Sequence, residues 1–170
     1  MKPVEEVIVL LIKALQDIGI PVLGLTARDP ELQPTTVRQL KEINIDFANS
    51  NYWSDEEYPL EVPNPVGKGV YFYKGIIFCD ENNKGICLDT FLKRNNYNPS
   101  HYVFADDREK HITRVKEALN PKYFVGVHYT NTDYKKSHPF NLQNALAQLN
   151  QRKAELSERA IETISTLKLG

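Results

Sequence analysis

At 170 residues the chain has the length of one ordinary domain, enough to bury a core of its own. Charged residues at 25% and hydrophobic ones at 41% exclude wholesale disorder. A net charge of −1 provides no basic footprint for nucleic acid. The longest apolar run, Val7 to Ile12, falls far short of the ~20 residues a membrane span needs, and Glu5 and Glu6 stand where a signal peptide is basic. Cys79 and Cys87 lack CxxC or His spacing, so neither a disulfide framework nor a zinc site is implied. The expectation is a soluble, cytoplasmic domain from a reducing compartment, with no nucleic-acid or membrane partner.

In chain order, Val4, Val7, Ile8, Leu11, Leu15 and Ile18 recur at three- and four-residue steps, which predicts a helix ending at Gly19. Pro21-Val22-Leu23-Gly24-Leu25 reads as a strand buried on both faces, and Leu32 to Ile43 as a second helix starting near Pro34 or Thr35. Residues 48–70, broken by Pro59, Pro63, Pro65, Gly67 and Gly69, read as a long excursion that includes a hairpin arm at Val70–Tyr73. Its Tyr52, Trp53 and Tyr58 either line a pocket or cover core, and cover is the favoured reading.

Gly75 to Cys79 is a second buried strand, and Asn83 can cap a helix from Lys84 to about Asn95. Tyr102 to Ala105 is a third strand, ending at Asp106-Asp107 before a helix that turns Ile112, Val115 and Leu119 inward. Tyr123 to Val127 is a fourth. Leu142, Leu149 and Leu156, seven apart, mark a long terminal helix over 141–170 that either packs on the core or pairs with another chain. Alternating strands and helices predict an α/β fold: three layers, a mostly parallel sheet over residues 1–140, covered on both faces.

In such sheets ligands bind at the carboxyl ends of the strands. That rim collects Thr26-Ala27-Arg28-Asp29, Asp80 to Gly85, Asp106-Asp107-Arg108 and His128 to Asn131. A hydroxyl, an ammonium and a carboxylate pair suit a phosphate and a divalent cation. Each also has an ordinary role: Thr26 closing a turn, Lys84 in a solvated helical turn, Asp106-Asp107 as N-cap residues. Arg28 can pair with Asp106 or Asp29, and His128 is the histidine nearest the rim.

Gly24-Leu25-Thr26-Ala27-Arg28, Gly75-Ile76-Ile77-Phe78 with Asn83-Lys84-Gly85, and Val103-Phe104-Ala105-Asp106-Asp107 follow one another in an order that resembles the haloacid dehalogenase superfamily. The likeness is to a bacterial branch whose members mostly carry no assigned function, and it spans about residues 4–130. By that resemblance Thr26, with Ala27, binds the transferring phosphoryl group, Lys84 steadies it, and Asp106 and Asp107 hold Mg²⁺. The chain departs from the pattern in lacking the opening strand and its DxDx[TV] motif, which supplies the attacking Asp. Asp80 is a poor substitute, with no second Asp and no following Thr or Val. Because the covalent step needs that carboxylate, the resemblance implies an N-terminally truncated phosphohydrolase domain, inactive by itself on a phosphate-containing small molecule. In the superfamily the missing strand is central, so the likeness further implies an unfilled slot in the sheet. Sliding strands, a second copy or a complementing N-terminal segment would have to close it. The other readings are a non-catalytic binding or assembly module, and a response-regulator-like domain, whose acidic pair is absent from the first strand end.

Overall fold

In the computed structural model, which describes residues 6–49, 52 and 57–130, the first apolar repeat forms helix α1, Glu6–Asp17, and Gly19 leaves it at a φ of +75°. The chain divides into two units, Met1–Lys135 and Lys136–Gly170. Helix α1 and all the elements that follow it belong to the first. The helix expected over 141–170 lies outside the described residues.

Strand β1, Gly24–Thr26, leads through a 3₁₀ turn at Pro30–Leu32 into α2, Gln33–Lys41. Asp29 starts the turn, its side chain accepting the Glu31 N–H at 2.8 Å. The excursion holds β2, Tyr58–Leu60, and β3, Val70–Tyr73, which doubles back into β4, Ile76–Phe78. Lys74 and Gly75, both at positive φ (47° and 74°), make that two-residue hairpin. Four strands result in the order β1-β4-β3-β2, with β1–β4 parallel and the other two pairings antiparallel. The expectation of a mostly parallel sheet is therefore corrected to a mixed one. The excursion returns as two antiparallel strands because its tight turn permits no crossover.

Helix α3, Lys84–Arg94, begins at Asn83, whose Oδ1 accepts the Gly85 N–H at 2.9 Å and the Ile86 N–H at 3.4 Å. Then come β5, His101–Asp106; α4, Glu109–Leu119; and β6, Tyr123–His128. Strands β5 and β6 form a separate parallel pair, Asp106 opposite His128. Asn120 ends α4 in the left-handed conformation at φ 40°.

One apolar core serves both sheets. Phe72, Ile77, Cys79, Cys87, Phe91 and Val115 are fully buried in it. Leu25 of β1, Tyr102 and Phe104 of β5 and Phe124 of β6 pack against the same cluster. Tyr58, Phe72 and Phe91 stack in a ladder at 5.1 and 4.8 Å, so Tyr58 covers core as expected. Trp53 lies outside the described residues, and Tyr52 rests its hydroxyl on the Gly19 carbonyl at 3.0 Å. Alternation along β5 and β6 turns Val103, Val125 and Val127 to the other face, where Val103 is 76% exposed.

Candidate functional site

Strand β1 carries Thr26 at its carboxyl end, parallel β4 delivers the chain through Asp80–Asn83 to Lys84, and β5 ends on Asp106. Lys84 and Asp106 meet: the Lys84 ammonium donates to Asp106 Oδ2 at 2.7 Å, and both side chains are about nine-tenths buried or more. Asp106 Oδ1 accepts the Arg108 N–H at 2.9 Å and faces His111 Nδ1 at 3.1 Å. Burial pushes the Asp106 carboxyl up, but the Lys84 hydrogen bond and the Arg108 N–H outweigh it and hold the group below the usual carboxylate range. Burial, then the nearby Lys84 charge, lowers the His111 pKa, so the imidazole is neutral near pH 7 and its Nδ1–H donates to Asp106.

The remaining rim residues are placed differently. Thr26 is half-buried and its Oγ1 accepts the Arg28 N–H at 3.2 Å, the turn-closing role. Ala27 beside it is exposed. Arg28 reaches neither Asp29 nor Asp106: its Nη1 donates to Thr36 Oγ1 at 3.0 Å and Gln39 Oε1 at 2.8 Å, bracing β1 against α2. Asp107 is exposed, and His128 Nε2 lies 3.2 Å from the Asp107 carbonyl oxygen, at the edge of the site. His111, in the first turn of α4, was missed in the sequence because it shows no i,i+4 metal spacing and does not stand at a strand end. Its five-residue separation from Asp106 was the available signal, since one helical turn returns that side chain to the cap.

Asp106 and Asp107 do not by themselves suit Mg²⁺. One Asp106 oxygen is occupied by an ammonium and the other by two N–H donors, and Asp107 faces solvent. Among the described residues no group of three or more His, Cys, Asp or Glu gathers to hold a metal.

A second cluster braces the rim from outside. Lys68 in the excursion bridges Asp29 Oδ2 at 2.9 Å and Glu31 Oε2 at 2.7 Å, while its own N–H donates to Asp80 Oδ2 at 2.9 Å. Asn82 exchanges hydrogen bonds with Val66 at 2.9 and 3.0 Å. Asp80 is thus a loop clamp, at a φ of 49°.

Comparison with known proteins adds relatives rather than chemistry. The chain is 27% identical over 164 residues to a "Putative outer membrane protein" of Chlamydia pneumoniae, covering 94% of this chain and 58% of that one. Proteins of the same name from Chlamydia trachomatis and Chlamydia muridarum are 28% and 29% identical, each match covering 79% of this chain and 49% of theirs. The chain thus spans about half the length of the curated relatives it matches. Their names point to the cell envelope and overturn the cytoplasmic expectation, which rested on composition and the first residues alone. Among the described residues no helix is long and apolar enough to cross a membrane. No solved structure matches the chain. A family model matches residues 1–162, and the chain belongs to that family, described as "Protein of unknown function (DUF2608)".

Proposed function

We propose that this chain is the greater part of a phosphoryl-handling domain of the haloacid dehalogenase type, in which the three-layer fold is completed by one further strand between β1 and β5. The observation carrying this reading is the Lys84–Asp106 ion pair, which joins the rim ends of the mixed sheet and of the parallel β5–β6 pair, both seated on one core. Strand β1 uses one edge for β4, and among the described residues nothing pairs with its other edge. Among the described residues β5 is paired with β6 alone. A strand inserted parallel to both would satisfy edge groups whose burial without partners costs about 1–3 kcal/mol each. Its carboxyl end would arrive beside Thr26, Lys84 and Asp106.

In that assembly the inserted strand brings the attacking carboxylate, Lys84 neutralises the phosphoryl oxygens, and the Thr26 hydroxyl donates to them. Asp106 fixes the ammonium and His111 fixes Asp106. Mg²⁺ would supply Lewis acidity in such a site, and Asp106 could hold it only once Lys84 had left the carboxylate. The relatives' names support an envelope setting for the domain.

The experiment is calorimetric titration of the chain with inorganic phosphate, beside turnover of a generic phosphate ester. Weak phosphate binding lost in Lys84→Met, with turnover at background, is expected, because loss of a nucleophile costs on the order of a millionfold. Robust turnover abolished by Asp80→Asn would overturn the reading.

The exposed valine face of β5 and β6 favours a second reading, an assembly module that pairs with another copy of this chain. Native mass separates the two: a monomer at high concentration rules out self-assembly.

A further inference from the structure

We propose that Cys79 and Cys87 are a disulfide site, closing under oxidising conditions into a bond that ties the end of β4 to the first turn of α3. Both thiols are free and fully buried, in the same apolar cluster. Cys79 follows β4 directly, and Cys87 lies on the inward face of α3 one turn beyond its cap. The chain between them is a closed turn. The Cys79 carbonyl accepts both the Asn82 N–H at 2.9 Å and its side-chain Nδ2 at 2.8 Å, and the Asn83 carbonyl accepts the Cys87 N–H at 3.0 Å. The Cys79 N–H is pinned to the Thr26 carbonyl at 2.8 Å. Both backbones are thus anchored while the sulfurs face one interior.

The two thiols also act on each other: contact with Cys87, ahead of burial, raises the Cys79 pKa well above its ordinary value. Among the described residues no group of three or more His, Cys, Asp or Glu includes them. The segment they bracket holds Asn83 and Lys84, so the bond would lock the ammonium of the rim in place.

The step exchanges one disulfide for another. A Cys79 thiolate attacks a sulfur of an oxidant disulfide, such as that of an envelope thiol–disulfide oxidoreductase, and expels one of its thiolates. The Cys87 thiolate then attacks Cys79 Sγ of the mixed disulfide and expels the second. Two protein thiols are oxidised, the oxidant disulfide is reduced to two thiols, and the two protons given up by the cysteines go to the thiolates released. Because burial and the neighbouring thiol disfavour thiolate in the folded chain, exchange belongs to the folding chain, before the core closes.

The pairing rests on the shared burial and mutual contact of the two thiols, while the cellular oxidant rests on the envelope reading, and the experiment keeps the two apart. The full chain is refolded in mixtures of reduced and oxidised glutathione, then unfolded, alkylated and weighed. Expected are the loss of two hydrogen atoms, a peptide linking Cys79 to Cys87, native circular dichroism, and a thermal midpoint about 5 °C above the reduced form. The gain should vanish in both Cys79→Ala and Cys87→Ala. Two alkylated thiols at every ratio, glutathione adducts alone, or a linked chain without native circular dichroism or with a lower midpoint would each overturn the site. Cell fractionation placing the chain in a reducing cytoplasm overturns the envelope reading, and with it the bond in the cell, while the glutathione result stands.

Discussion

Lys84 shows how burial changes what a charge does. On an exposed helical turn an ammonium is worth a few tenths of a kcal/mol, whereas in this rim it is the counter-charge of a carboxylate almost fully removed from water. Lys84→Met should therefore cost about 3–5 kcal/mol in urea unfolding, because Asp106 is left buried without its counter-charge. The double variant Lys84→Met with Asp106→Leu should recover most of that loss, since an apolar pair removes both desolvation penalties. Acid should act in two windows. His111 has a folded pKa lowered from its ordinary 6.5, so its contribution is complete above that value and fades as pH falls below it. Asp106, lowered from 3.8, keeps its contribution above that value and loses it further into acid. His111→Gln should flatten the upper window in a series of urea midpoints and leave the lower one.

Among the elements, α3 and α4 lean on the smallest residue available at their crossing. A Cβ at Gly85 would fall on the Arg114 carbonyl oxygen, so Gly85→Ala must push the helices apart. A loss of about 1–3 kcal/mol is expected, against the small gain that alanine brings to an open helix. Asn83→Ala removes the cap of α3 and should cost about 1 kcal/mol, read in the same unfolding assay. The strand pair β5–β6 supplies the remaining contrast. In hydrogen exchange its amides should open well before those of β4, which is buried at every residue, because β5–β6 has core on one face only.

At the scale of the molecule the mixed four-stranded sheet and the parallel β5–β6 pair stand side by side. Among the described residues they share a core and an ion pair but no ladder. A sheet interrupted in this way leaves a row of backbone donors and acceptors that invites another strand. The Chlamydia relatives are about twice as long as the part matched by this chain, so the experiments on phosphate binding and native mass are decisive when run on this chain and on a longer version.

Much of the fold was legible in the order of residues. The helical repeat ending at Gly19, the Asn83 cap and the continuous apolar runs at β1 and β4 each state a local preference that backbone sterics and apolar burial enforce without help from distant residues. The convergence of Lys84 with Asp106 was also legible, as strand ends of one rim. What only the tertiary structure decided were long-range matters: that Lys74-Gly75 turns the excursion into antiparallel strands, that Arg28 braces α2, and that His111 meets Asp106. Such pairings depend on which surfaces the packed elements bring within hydrogen-bonding distance. A periodic pattern can name the buried face of a helix, but not the polar group waiting beneath it.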